Sequence, residues 1–247
     1  MKWIALAVLI GCGAPTTYVA APPPPATPAG DPTAPVRIVI LTPSDRAPRP
    51  EAVGNVDRAM RESQRWYQER VGKSFRYQVI AASTPHPAGW YATTPHGDPW
   101  RDWFYENVVD DGFAAVGRRD ERGLVTMFYI LADETCGQNG GAARPGQGQV
   151  SDRGEGVISE KDLRGLAGEP TQVCPGGAPE VYGWDRWVGG PTHELGHAFG
   201  LRHPPDCETG APTCVATSLM GNGYLTFPNA QLTDEDLAIL RTSPFFQ

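Results

Sequence analysis

The sequence lacks three features that would each indicate a common class of protein. Its 247 residues carry a net charge of −7 without a basic patch, which argues against a nucleic-acid partner. No two cysteines have the CxxC spacing of a cysteine-ligated zinc site. The apolar run over residues 4–10 is too short for a permanent membrane span, which needs about 20 residues.

Histidine is scarce, yet three of the five histidines lie close together near the C-terminus. His193 and His197 stand four residues apart, so on a helix their rings leave the same face and can bind one ion. Glu194 is rotated by roughly 100° from the first ligand, where its carboxylate can act as general base on a metal-bound water. Gly200 predicts a sharp turn, because glycine enters left-handed conformations without steric cost, and that turn returns His203 to the ion.

Three neutral imidazoles leave the fourth position of a tetrahedral zinc ion open for water, as in catalytic rather than structural sites. We therefore predict one catalytic Zn²⁺ ion, and the sequence does not indicate whether structural calcium is also bound. The alternative is an accidental HExxH on a helix with two surface histidines. The third histidine and the glycine at the required spacing argue against it.

The five residues of this motif resemble the HExxHxxGxxH signature of the metzincin metallopeptidases. The resemblance implies an α+β fold with a twisted mixed sheet, few helices, and upper and lower subdomains divided by a zinc cleft. It also implies a methionine-containing turn that forms a hydrophobic floor beneath the metal, for which Met220 is the candidate. No glycine- and aspartate-rich calcium repeats are present, so we assign no subgroup.

The residues after the methionine depart from the family pattern. Several metzincin groups place a tyrosine two residues after the methionine, where this chain has Asn222. Tyr224 stands four residues after Met220 and is a candidate to polarise the substrate carbonyl, with an ordinary packed or surface tyrosine as the alternative.

The N-terminus has the features of a bacterial lipoprotein signal. Leu9-Ile10-Gly11-Cys12 resembles the lipobox, which predicts a signal peptide over residues 1–11 and lipidation of Cys12. The proline-rich residues up to 35 predict an extended linker. We expect an exported protein anchored by lipid to a bacterial membrane, with the outer membrane or cell surface favoured. The alternatives are an ordinary signal peptide with an incidental cysteine, or a cytosolic chain with an apolar start.

Four cysteines remain after Cys12, and an even number in an exported protein predicts two disulfides. Three pairings are possible. We favour Cys136 with Cys174, and Cys207 with Cys214.

Residues 36–247 are predicted to form a single catalytic domain. Hydrophobic periodicity predicts strands and helices in alternation over residues 36–42, 50–69, 75–82, 100–116 and 124–132. The glycine-rich residues 134–156 predict a surface loop, with a rim over the substrate cleft as the alternative. We place the start of the zinc helix between Asp185 and Pro191, and Thr233 at the N-cap of a C-terminal helix.

The sequence thus predicts a zinc-dependent endopeptidase that cleaves protein or peptide substrates outside the cytoplasm. One alternative is a zinc amidase acting on a cell-wall or other non-peptide amide. Another is a surface binding lipoprotein in which zinc has a structural role. The sequence does not indicate an oligomeric state.

Overall fold

The computed structural model describes residues 29–30, 34–117, 122–146, 151–172, 174, 182–205, 207 and 215–247. The predicted signal peptide, the predicted lipidation site Cys12 and most of the predicted linker lie outside the described residues, as does Cys214. Among the helices of the described part, none is long and apolar enough to cross a membrane.

A six-stranded mixed sheet lies at the centre of the domain, in the order β1-β3-β2-β4-β6-β5. Its inner strands are mutually parallel, whereas β1 and β5 run antiparallel at the two edges. Apart from Leu124, every residue of β2 and β4 is buried, which is consistent with their predominantly apolar sequences. The strands are β1 (Ala29–Gly30), β2 (Val36–Thr42), β3 (Tyr77–Ser83), β4 (Leu124–Ile130), β5 (Gly141–Pro145) and β6 (Arg153–Ile158).

Helices cover both faces of the sheet, because side chains alternate along the buried strands. Ile38 and Ile40 pack into a core with the helix that carries His193 and His197, whereas Val39 and Leu41 pack with the helices of the opposite face. The helices are α1 (Pro50–Val71), α2 (Ala88–Thr93), α3 (Trp103–Val116), α4 (Glu160–Leu166), α5 (Trp184–Ala198) and α6 (Asp234–Thr242). A mixed sheet with few helices confirms the predicted α+β class.

Most predicted elements occur, with shifted ends. Phe75 lies outside β3 because it forms an isolated bridge with Phe246. Residues Trp100–Asp102 form a 3-10 turn instead of the start of a helix, and Trp100 is 43% exposed. Thr233 caps α6 as predicted, and Asp236 completes a capping box.

The prediction of a surface loop over residues 134–156 is wrong for residues 141–145, which form β5, and for residues 153–156, which begin β6. The glycines of β6 permit close packing against neighbouring elements. A Cβ at Gly154 would lie 2.2 Å from the carbonyl oxygen of Ala198, and one at Gly156 would lie 2.5 Å from Met127 Cε. Glycine in a strand indicates such a close approach as well as a turn.

Helix α5, the predicted zinc helix, begins at Trp184, one residue before the predicted range, and Pro191 lies in its interior. Tertiary packing explains this extension. A Cβ at Gly189 would lie 2.2 Å from the carbonyl oxygen of Tyr224. The part of the helix before the proline therefore packs closely against the segment that contains Tyr224. Packing of this kind stabilises a helix more than local propensity does.

The predicted disulfide between Cys136 and Cys174 is confirmed, with an S–S distance of 2.11 Å. It connects the segment before β5 to the segment before α5. Cys207 is also disulfide-bonded, and Cys214, its predicted partner, lies outside the described residues.

Helix α4, which periodicity did not predict, packs against α5 through a glycine, and this contact can be tested. A Cβ at Gly165 would lie 2.1 Å from the Trp187 ring, so Gly165→Ala is expected to lower the free energy of unfolding by about 1–3 kcal/mol. Gly54 in α1 has no atom within 4 Å of such a Cβ. Gly54→Ala should therefore stabilise the helix by about 0.5–1 kcal/mol. Urea denaturation measures both effects, and equal shifts in the two variants would contradict the packing argument.

Candidate metal centre and active-site cleft

Three imidazole rings converge at one point in the cleft. The Nε2 atoms of His193 and His197 are 3.1 Å apart, those of His197 and His203 are 2.9 Å apart, and those of His203 and His193 are 3.4 Å apart. A tetrahedral zinc ion, with bonds to nitrogen of about 2.0–2.1 Å, separates its ligand nitrogens by about 3.3 Å. The three predicted ligands therefore lie at separations that fit one zinc ion.

Backbone carbonyls determine which nitrogen of two of these rings carries the proton. The Nδ1 of His193 lies 2.6 Å from the carbonyl oxygen of Leu219, and the Nδ1 of His197 lies 3.0 Å from that of Leu201. A carbonyl oxygen only accepts, so each Nδ1 donates a proton and each Nε2 keeps its lone pair for the metal. The hydrogen bonds also fix the ring orientations.

The turn that follows α5 has the geometry of a Schellman motif. Gly200 has a φ of 102°, the left-handed conformation predicted for it. The N–H of Leu201 donates to the carbonyl of Gly196 at 2.9 Å, and the N–H of Gly200 donates to that of His197 at 2.9 Å. This turn reverses the chain and brings His203 back beside the helix.

Met220 is fully buried and borders the cleft that contains the three histidines. A Cβ at Gly196 would lie 2.5 Å from Met220 Sδ, so the helix and the methionine segment are in direct contact. The preceding residue, Leu219, supplies the carbonyl that orients His193. One short segment therefore both packs against the zinc helix and orients a ligand.

Helix α1 supports the zinc helix through polar contacts that the sequence did not reveal. The Tyr67 hydroxyl donates to the carbonyl of Thr192 at 3.0 Å, and the hydroxyls of Ser63 and Thr192 lie 2.5 Å apart. Burial raises the pKa of Tyr67, so the phenol stays protonated and able to donate. No local sequence signal could have identified these residues, because 125 positions separate Tyr67 from Thr192.

Burial shifts the two central titratable groups towards their neutral forms. It lowers the pKa of His193 to about 3, with a further contribution from His197. A neutral imidazole is the form that binds a metal. Burial and the negative charge of Asp162 raise the pKa of Glu194 to about 8, against the opposing effect of Arg186.

The metal centre lies in a cleft of approximately 930 Å³. Edge strand β5 forms one wall with Gly141, and His193, Glu194 and His197 of α5 form the other. A Cβ at Gly141 would lie 3.8 Å from Glu194 Oε1, which places the carboxylate between helix and strand. The Tyr224 ring also lines the cleft, with its centre 5.1 Å from that of His193.

Comparison with known proteins shows both family and fold similarity. The family model described as metallo-peptidase family M12 matches residues 36–235. Wild-type OgpA from Akkermansia muciniphila is similar in structure, with 21% identity and a TM-score of 0.51, over 87% of this chain and 62% of that chain. Catalytic inactive OgpA from the same organism, in complex with an O-glycopeptide (glycodrosocin) substrate, gives 18% identity and a TM-score of 0.50, over 87% and 61%.

At these identities the likeness to OgpA shows the fold alone, and the present chain spans about three fifths of the length of the matched structures. No curated protein sequence matches the chain.

The Schellman turn predicts a specific effect on metal binding. Replacement of Gly200 by alanine forces a left-handed conformation on an L-residue, at a cost of about 1–2 kcal/mol, and places a Cβ 3.2 Å from that of Ser151. Because His203 follows the turn, zinc affinity should fall as well. Gly97→Ala is the matched control, since Gly97 has a φ of 65° and no atom within 4 Å of a Cβ.

Competition with a chromophoric chelator measures the zinc affinity, and urea denaturation measures the stability of both variants. The control should lose stability while its zinc affinity stays at the wild-type level. Unchanged zinc affinity in Gly200→Ala would show that the turn does not position His203.

Proposed function

The chain belongs to metallo-peptidase family M12, and on this premise we propose that it is a zinc-dependent endopeptidase acting on peptide or protein substrates. The family match confirms the resemblance to metallopeptidases that the HExxHxxGxxH motif implied. The observation that carries the proposal is the convergence of three Nε2 atoms beside Glu194 in an open cleft. A structural zinc site would have its fourth position closed by a protein ligand.

Glu194 is the general base in this proposal. His193, His197 and His203 would hold the zinc ion, whose Lewis acidity would lower the pKa of the attacking water towards about 7, favour the ionised form of Glu194 and polarise the scissile carbonyl. The Glu194 carboxylate accepts the proton of the attacking water and later delivers it to the leaving amine nitrogen. Its position between α5 and β5 suits both transfers, because it places the carboxylate at the cleft in which the substrate is proposed to bind.

Strand β5 offers a means of binding an extended peptide. It is the terminal strand of the sheet, paired with β6 on one side, and its residues Gly141, Ala142 and Ala143 line the cleft. An extended chain can add to such an edge through backbone hydrogen bonds. The small side chains let a substrate approach closely, and the O-glycopeptide bound by OgpA supports a peptide as substrate.

Two further residues have proposed roles. Met220 forms the hydrophobic floor beneath the metal, supported by its complete burial against Gly196. Tyr224 is proposed to donate a hydrogen bond to the substrate carbonyl in the transition state, supported by its place beside His193 in the cleft wall.

Substitution of the general base should separate catalysis from metal binding. Glu194→Gln is expected to reduce kcat on a peptide library at least about 100-fold, because general-base catalysis contributes about 10²–10⁴-fold. Its zinc content should equal that of the wild type. His203→Ala is the complementary variant, since it should lose zinc and activity together.

Zinc is quantified by elemental analysis, and cleavage by mass spectrometry with and without chelator. Peptide cleavage by Glu194→Gln at the wild-type rate would exclude this residue as the base. Cleavage that persists in chelator would refute the zinc-dependent mechanism.

We further propose that the protein is exported and anchored by lipid at Cys12. The lipobox-like residues 9–12 and the disulfide between Cys136 and Cys174 support this, because disulfides persist in oxidising compartments. In a bacterial host Cys12→Ser should move the protein from the membrane fraction to the soluble exported fraction. Glu194→Gln should remain with the membranes, and membrane retention of Cys12→Ser would refute the anchor.

A further inference from the structure

A guanidinium group lies behind the cleft wall, two helical turns before the first metal ligand. Arg186 belongs to α5, on which Gly190 and Glu194 follow at intervals of four residues and line the cleft. A Cβ at Gly190 would lie 2.6 Å from Arg186 Nη1. The guanidinium carbon lies 5.0 Å from the centre of the Tyr224 ring, which itself stands beside His193. Arg186 is therefore adjacent to the part of the wall nearest the metal centre.

Among the residues that the structure describes, the guanidinium of Arg186 has few hydrogen-bond acceptors around it. Its Nε and Nη1 atoms are buried and have no hydrogen-bond partner in that part of the chain. The Asp162 carboxylate pairs with Nη1 at 3.9 Å, which is too long for a hydrogen bond. The other close groups are aromatic, with the Trp187 ring centre at 4.9 Å and that of Tyr182 at 5.8 Å. Buried donors in proteins are almost always paired, so these two require an explanation.

The cleft itself can supply the missing acceptor. Gly190 and Tyr224 both line the cleft, and both lie against the guanidinium of Arg186. Because Gly190 has no side chain, a substrate side chain that enters between Gly190 and Tyr224 would approach Arg186. The planar guanidinium presents its N–H groups as a fork that matches the two oxygens of a carboxylate. An uncharged side chain at the same place would leave part of the fork unmatched, which disfavours it.

We propose that Arg186 is a specificity-determining residue that selects substrates with an acidic side chain next to the scissile bond. This inference rests on the proposed endopeptidase function. Asp162 acts as an internal competitor, because it partly neutralises the guanidinium when no substrate is present. The same wall that holds Tyr224 beside the metal therefore also discriminates between substrates.

The test compares matched peptides that carry glutamate or glutamine at each of the two positions flanking the scissile bond. The measured quantity is the ratio of kcat/KM for the glutamate peptide to that for the glutamine peptide. For the wild type we expect a ratio of about 10 or more at one position, and for Arg186→Gln a ratio of about 1. Arg58→Gln is the matched control and should keep the wild-type ratio, since Arg58 is 61% exposed on α1 and stacks on Trp184.

Asp162→Asn provides a second test, in which the glutamate-to-glutamine ratio is expected to change in the opposite direction. It removes the competing carboxylate while keeping the size of the side chain, so the glutamate-to-glutamine ratio should rise above that of the wild type. Arg186→Lys keeps the charge without the fork, and its ratio should fall between those of the wild type and Arg186→Gln. These two variants keep the inference testable if Arg186→Gln does not fold.

The outcomes distinguish the inference from the proposed function. If the zinc-loaded wild type cleaves no peptide of the set, the proposed function fails and the inference fails with it. If it cleaves glutamate and glutamine peptides equally at both positions, only the inference is overturned. A preference that survives in Arg186→Gln, or a ratio that does not rise in Asp162→Asn, would equally exclude the assignment to Arg186.

Discussion

The metal centre depends on the proton positions of two imidazole rings, and backbone carbonyls impose these positions. Leu219 and Leu201 each accept a hydrogen bond from an Nδ1 atom, so the opposite nitrogen of each ring is left as a ligand. The two carbonyls belong to different segments, one in the turn after α5 and the other in the segment that carries Met220. The geometry of the ligands therefore depends on both of these segments as well as on helix α5.

Glycine residues allow neighbouring segments to pack closely around helix α5. Helix α5 is approached closely by β6 at Gly154, by α4 at Gly165 and by the methionine segment at Gly196, and in each case a Cβ would overlap a neighbouring atom. Close packing on several sides holds the helix rigid, and rigidity keeps catalytic groups in position. The high glycine content of the chain therefore reflects packing around the metal centre as well as turns.

The metal ligands could be predicted from sequence because they are local in the chain. Helical periodicity sets the spacing of His193 and His197, and the left-handed requirement at Gly200 explains how His203 returns, so one short segment contains the information. The supporting groups could not be predicted in this way. The contact of Tyr67 with Thr192 depends on how two distant helices pack, and only the folded chain brings them together.

The thioether of Met220 is buried, and this has a chemical consequence. Oxidation of methionine adds an oxygen atom to sulfur and makes the side chain polar. Gly196 leaves no room for that oxygen on the side of the helix, since even a methyl carbon there would overlap the sulfur. Reactive oxygen species should consequently damage more accessible side chains of this domain before they reach the sulfur under the histidines.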